Sequence, residues 1–257
     1  MEPIRFFDCS ASFGRRRIIH KGSFWQLDEL NRKMVHYGIE NALVYHAMAS
    51  DYEPLEGNML LLDEIKEQPH LKPVWVVMPH QTGEFPPPGE LRTQLKRYDI
   101  RAVRLTPGAS NASYSLAEWS CGLLFAMLEK CKIPTMLAAS QINWNYQILH
   151  DVLEAHPQLR FILTDMPYHG ARSIYPLMEK FPYLYIETIG FKVFNGIEDG
   201  CCRFGSGRFI FGSSAPLYSG GSAAGMIRYA QISDEDKRAI ASGNLEKMLG
   251  EVDYDCL

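Results

Sequence analysis

The 257-residue sequence is short of every feature that would mark a special class of protein. No apolar stretch approaches the ~18 residues that a membrane-spanning helix needs, so no membrane partner is expected. The opening residues Met1-Glu2-Pro3-Ile4-Arg5 show no basic run followed by an apolar one, and no signal peptide is expected. Basic residues are not in excess. Lys and Arg number 26 against 30 Asp and Glu, for a net charge of −4, and the basic stripe of a nucleic-acid binder is missing. The one basic run, Arg15-Arg16-Arg17, is too short for such a patch and reads first as a solvated loop. Because it follows the first apolar run, a clamp for an anionic substrate is its second reading. The six cysteines (Cys9, Cys121, Cys131, Cys201, Cys202 and Cys256) form no C-x-x-C pair. They are expected to be free and reduced, in a cytoplasmic protein. The adjacent Cys201-Cys202 reads as two ordinary small residues. No His-x-His or His-x-x-Glu pair occurs, so no ready-made metal-ligand spacing is present. No Gly-x-Gly-x-x-Gly follows a strand, which counts against an open dinucleotide-binding sheet.

What is present is a regular alternation of short apolar runs and amphipathic stretches. Strands are expected over residues 4–9, 42–45, 74–78, 102–105, 135–138, 160–164, 184–188 and 208–211. Helical spacing separates them over 24–37, 60–67, 89–97, 115–132, 143–155 and 171–180, with a weak Gly-punctuated segment from 195 to 206. Two helices, around 223–229 and 234–249, close the chain. Ser115 with Glu118 has the spacing of a capping box, and Ser233 or Asp234 is a natural cap for the last helix. The apolar runs are nearly continuous, as strands covered on both faces should be. Eight strand-then-helix units in a chain of this length predict a closed, parallel (β/α)₈ barrel in one domain spanning residues 1–257. An open doubly wound sheet is the alternative.

Barrels of this kind place their active sites at the C-terminal strand ends. The polar residues there are Ser10, Ser12, His46, His80, Arg104, Thr106, Ser140, Asp165, Tyr168, His169, Glu187, Thr188, Ser213 and Ser214. Asp165 and His46 are the candidate catalytic acid and base. Arg104, if it points into the mouth, is a fork for a substrate carboxylate. Glu187, at the end of an apolar strand, needs a partner, and Arg104 across the mouth is the expected one. His169 and Tyr168, on the loop after strand six, and Ser10, Ser12 and Ser214 complete the candidate binding set. As nucleophiles these serines lack an evident base and orienting group in the sequence.

Several of these segments resemble the amidohydrolase-related (amidohydrolase-2) family of metal-dependent hydrolases. Asp8-Cys9-Ser10-Ala11-Ser12-Phe13-Gly14 is similar to that family's opening Asp-x-His-x-His-x-Gly. Ile133 to Ala138 and Phe161 to Asp165 resemble its fifth and sixth strands, each ending in a ligand His. Phe211-Gly212-Ser213-Ser214-Ala215-Pro216 resembles its Gly-Ser-Asp-x-Pro eighth strand. Ile232 to Lys237, with Ile240, Gly243-Asn244-Leu245 and Leu249, is similar to its closing helices. The resemblance implies a distorted amidohydrolase-like barrel. It also implies that Ser10, Ser12, Ala138, Asp165 and Ser214 stand where the family places metal ligands. Hydroxyls and a methyl group do not hold a borderline-soft divalent metal against imidazole or thiolate. No metal and no cofactor is therefore expected.

Three functions follow from this reading. The first is a metal-independent hydrolase, lactonase or lyase acting on a small polar or carboxylated substrate. The second is an inactive relative that binds a small molecule or serves as a subunit. The third is an unforeseen metal site built from His46, His80, Asp165, His169 and Glu187. A small-molecule ligand is the expected partner in the first case, and a homo-oligomer is left open.

Overall fold

The computed structural model describes residues 4–167 and 169–256. Its strands are β1 (Phe6–Phe13), β2 (Ile39–His46), β3 (Leu71–Pro73), β4 (Trp75–Val77), β5 (Val103–Leu105), β6 (Thr135–Ala138), β7 (Phe161–Thr164), β8 (Leu184–Glu187) and β9 (Phe209–Ile210). All pairings are parallel, in the order β1-β2-β3 and β4-β5-β6-β7-β8-β9. β3 and β4 are one extended stretch interrupted at Val74. The Val74 N–H donates back to the Val44 carbonyl at 2.8 Å, and the Trp75 N–H donates forward to Ala102 at 3.4 Å. That stretch fills a single strand position, and eight positions result. Cys9 N–H donates to the Phe211 carbonyl at 3.0 Å, and Ser12 N–H donates to Ala215 at 2.9 Å, which ties the first strand to the last. The architecture is a (β/α)₈-type barrel.

Side-chain alternation sorts the strand residues into two apolar layers. Phe13, Val44, Trp75, Val77, Val103, Leu105, Leu137, Phe161, Leu163, Ile186 and Phe209 pack outward under the helices. Leu43, Tyr45, Val74, Val76, Ala102, Met136, Ile162 and Ile210 form a separate inner cluster, closed from below by Leu245, Met248 and Leu249. The alternation fixes the mouth as well. Arg104 follows inward Ala102, Ala138 follows Met136, and Glu187 follows Tyr185, so all three belong to the inner face.

The closing helix explains how the bottom is sealed. Ser233 caps it by accepting from the Asp236 N–H at 3.1 Å. It runs from Asp234 through a π-helical turn at Ala239–Gly243 to Gly250. The carbonyl of Ile240, in that turn, accepts from Phe211 N–H at 3.0 Å. Asn244 Nδ2 donates to the carbonyls of Ser206 (2.8 Å) and Phe209 (2.9 Å), pinning the helix against the short last strand.

Three local expectations are corrected. Ser115 does not cap the long fourth-unit helix, which begins at Glu118 after an uncapped Ala117; the Ser115 hydroxyl instead accepts from the Ala117 N–H at 3.1 Å. Glu118 is drawn away to His156, 2.9 Å distant. The weak segment near 195–206 is a helix, Gly196–Phe204, whose Gly200 lets it lie directly on the Phe209 ring. The third strand begins earlier than expected, at Leu71. Among the described residues, no helix is long and apolar enough to cross a membrane.

Candidate active site

At the C-terminal ends of the strands lies a cavity of ≈ 230 Å³. Its floor includes Ser10, Ala138, Asp165 and Ser214. One wall carries Arg16, Tyr45 and Arg104, and the rim carries Arg17, His20, Asp51 and Tyr218.

A buried acidic network lies beneath the floor. Glu187 is 0% exposed and accepts three hydrogen bonds. Ser10 Oγ donates to its Oε1, Ser214 Oγ donates to the same oxygen at 3.0 Å, and the Asp165 N–H donates to Oε2 at 3.1 Å. The Ser214 N–H in turn donates to Ser10 Oγ at 3.1 Å. Burial pushes the Glu187 carboxyl up to about 7, and the serine and amide donors only partly offset it. Asp8 holds the next layer. It accepts from the N–H groups of Ser10 (3.0 Å) and Ser213 (2.9 Å) and from the Ser213 hydroxyl, and burial raises its pKa as well. Gly212 is required here, because a Cβ at that position would overlap Glu187 Oε1 and sit 2.7 Å from Ser10 Oγ. Asp165 and Ser214 both have left-handed backbone, with φ of 55° and 49°. Such geometry is uncommon outside glycine and concentrates at functional sites.

The cationic wall is built around Tyr45. Arg16 Nη2 donates to the Tyr45 hydroxyl at 3.1 Å and also to Ser12 Oγ, whose own hydrogen goes to the Ala215 carbonyl at 2.9 Å. The Arg104 guanidinium lies over the Tyr45 ring, 4.6 Å from its centre. Burial alone would raise the phenol's pKa; the two guanidiniums outweigh it and bring the value down to about 8. Arg104 Nη1, Arg16 Nε and Thr106 Oγ1 are buried without a protein hydrogen-bond partner among the described residues. Buried donors of this kind are normally satisfied, and here they border the cavity.

The structure therefore gathers Ser10, Arg104, Asp165 and Ser214 on one cavity. Glu187 lies behind Ser10 and Ser214 rather than on the surface, and the expected Glu187–Arg104 ion pair is not found among the described residues. Three neutral donors satisfy Glu187 instead. Ser12 sits behind Arg16. His46 is not on the cavity. The register Ser12↔Tyr45, Phe13↔His46 turns Tyr45 inward and His46 outward. There His46 packs on Phe13, its Nδ1 accepts from the Met48 N–H at 3.1 Å, and burial lowers its pKa. His169 is exposed and His80 is half-buried, and neither lines the cavity. Tyr168 lies outside the described residues. Sequence reasoning missed Tyr45, and reached Arg16 only through the second reading of the Arg15–Arg17 run as a clamp for an anionic substrate. The period-2 alternation, which lets only one of the neighbours Tyr45 and His46 face the mouth, was the available signal.

As a metal site the cluster does not fit. Every oxygen of Glu187 and Asp8 is already taken by a protein donor. Among the described residues, no group of three His, Cys, Asp or Glu side chains is placed to hold a metal ion. The set His46, His80, Asp165, His169 and Glu187 is not brought together.

Residues 51–250 match the amidohydrolase family model. The chain belongs to the amidohydrolase family. Solved structures support the same fold. An uncharacterised TIM-barrel protein from Bordetella bronchiseptica superposes with a TM-score of 0.73 at 17% identity, covering 96% of this chain and 99% of its own. A 2,6-dihydroxybenzoate decarboxylase complexed with 2,6-dihydroxybenzoate gives 0.74 at 13% identity, covering 95% and 98%. A dihydroxybenzoic acid decarboxylase from Polaromonas sp. JS666, with bound manganese and 2-nitroresorcinol, gives 0.69 at 14% identity, covering 95% and 96%. No curated protein sequence matches the chain. At these identities the structural likeness concerns the fold of this amidohydrolase-family barrel.

Proposed function

We propose that this barrel is a metal-independent lyase or hydrolase acting on a small carboxylated substrate at its C-terminal mouth. One observation carries the reading: a cationic wall with unpartnered buried donors faces, across one small cavity, a floor wired to a carboxyl that titrates near neutrality. Arg104, with Arg16 behind Tyr45, takes the substrate carboxylate as a charge-assisted pair. A cavity of ≈ 230 Å³ is below the usual range for drug-sized ligands and suits a molecule of about one ring. Two structural neighbours are decarboxylases of dihydroxybenzoates, which favours lyase chemistry on a carboxylated ring within this class.

Glu187 supplies the proton. With a pKa near 7 it exists in both forms at neutral pH, as a general acid–base group should. It does not touch the cavity, so transfer runs through Ser10 or Ser214. The hydroxyl hands its own hydrogen to the substrate and takes one from Glu187. Asp165, at the same floor, orients the substrate or receives a proton on the return. In this reading the Glu187–Ser10–Ser214 network takes the place of the family's metal centre.

The test is turnover and binding with small hydroxybenzoates, lactones and sugar acids, using protein stripped of metal. Arg104→Ala should weaken binding by roughly 1–3 kcal/mol, as expected for a charge-assisted hydrogen bond. Glu187→Gln should leave binding intact and lower turnover at least tenfold. Elemental analysis finding about one equivalent of zinc, manganese or iron, with activity that follows it, would overturn metal independence. Tight binding with no turnover of any such compound would favour the non-catalytic alternative.

A further inference from the structure

Far from the mouth, the fold brings together two cysteines 125 positions apart in sequence. Cys131 ends the helix Glu118–Lys130, and its Sγ lies 2.7 Å from that of Cys256, close enough for a hydrogen bond between the two thiols. Both are free thiols in the structure. Their approach is imposed by the surrounding chain. The Asp253 N–H donates to the Cys131 carbonyl at 3.0 Å, and Arg92 Nη1 donates to the Cys256 carbonyl at 3.0 Å. Lys96 pairs with Asp255, Arg101 Nη1 donates to the Leu249 carbonyl at 3.1 Å, and Arg160 pairs with Glu251. The segment 251–256 is thus strapped beneath the barrel by three cations, Arg92, Lys96 and Arg160, with Arg101 holding Leu249 just before it and the sulfurs already facing each other.

We propose that Cys131 and Cys256 are a site of reversible oxidation, forming a disulfide that locks residues 251–256 onto the barrel's underside. The oxidant is a low-molecular-weight disulfide of the glutathione class. Cys256 is the more accessible sulfur, since Cys131 is 1% exposed. The Cys256 thiolate attacks one sulfur of the oxidant, whose S–S bond breaks, and one small thiol leaves with a proton. Cys131, as thiolate, then attacks Cys256 Sγ. The new Sγ–Sγ bond forms and the second small thiol departs. Two protein thiols lose two electrons and two protons, and the oxidant gains both. Burial and the neighbouring Cys256 push the Cys131 thiol up to about 12, so the second step is the slow one and quickens with rising pH.

The cross-link closes a loop of more than a hundred residues in the unfolded chain, the regime in which a disulfide stabilises most. The experiment treats the whole protein with oxidised glutathione, followed by intact mass and peptide mapping, and records Tm before and after and again with dithiothreitol. A Cys201→Ser, Cys202→Ser background removes the competing pair. The expected product is lighter by two hydrogen atoms, yields a Cys131–Cys256 linked peptide and melts roughly 5–10 °C higher. Reduction should reverse all three changes, and Cys256→Ser should abolish them. Ligand binding at the mouth should be unaltered. A stable glutathione adduct on Cys256 without the linked peptide would overturn the proposal, as would a linked product whose Tm does not rise. Neither result would touch the reading of the mouth.

Discussion

At the level of single residues, the site depends on two side chains whose acidity is set by their surroundings. Tyr45 is pulled down to about 8 by Arg16 and Arg104 against the effect of burial. Alkaline difference absorbance should show one tyrosine ionising near that pH, absent in Tyr45→Phe and shifted upward in Arg104→Ala. Glu187 has the opposite perturbation. Its folded value of about 7 exceeds the ordinary 4.5 of a free glutamate, so the folded state holds a proton that the unfolded state has released. Its contribution is therefore intact below about pH 4.5 and is lost as pH rises to about 7, on the order of 3 kcal/mol in all. Urea unfolding at pH 5 and pH 7.5 should show that fall in the parent and a much smaller one in Glu187→Gln. Asp8 is raised too and leaves a residual slope of the same sign, whereas His46, which is lowered, acts in the opposite sense. Equal slopes in parent and variant would show that Glu187 is not the perturbed acid. None of this was legible in the sequence. Glu187 was visible as a strand-end acid in need of a partner, but nothing local indicates that three neutral donors replace Arg104. Tyr45 reads as one more apolar strand residue until the register with Ser12 is known.

At the level of elements, most of the architecture could be read from the chain, because apolar runs between amphipathic stretches leave few alternatives to parallel strands with crossovers. Arg104 is the instructive case. The sequence of β5 alone leaves its direction open, and the alternation Ala102 in, Val103 out, Arg104 in settles it. The failures have tertiary causes. Ser115 was a plausible cap, but Glu118 is held by His156 from the next unit, and the helix starts later. Gly punctuation hid the helix Gly196–Phe204, where Gly200 serves close packing rather than a turn. The junction after β9 is the most constrained element. Gly212→Ala would force a methyl between Glu187 and Ser10, and should cost roughly 1–3 kcal/mol of stability by overpacking, measured by urea unfolding. Loss of the Ser233 cap in Ser233→Ala should cost about 1 kcal/mol, with no effect at the mouth.

At the level of the whole molecule, the seal of the barrel and its polar cavity lie at opposite ends. The closing helix and the cysteine pair seal the underside, and the cationic wall and the acidic floor meet at the mouth. The eighth-strand and closing-helix motifs carried the family resemblance because they do structural work: Gly212 makes room for Glu187, and Asn244 grips the last strand. Substrate identity was not legible, since Arg16 enters the site from a loop whose course the sequence does not dictate. The central claim is that a carboxylate binds between that wall and that floor. Its most direct test is a crystal structure of the protein with the tightest-binding hydroxybenzoate found in the screen. The expected result places the ligand's carboxylate within hydrogen-bonding distance of Arg104 Nη1 and its ring over Ser10 and Ser214. A ligand bound elsewhere, or held at the mouth through a metal ion, would contradict the account.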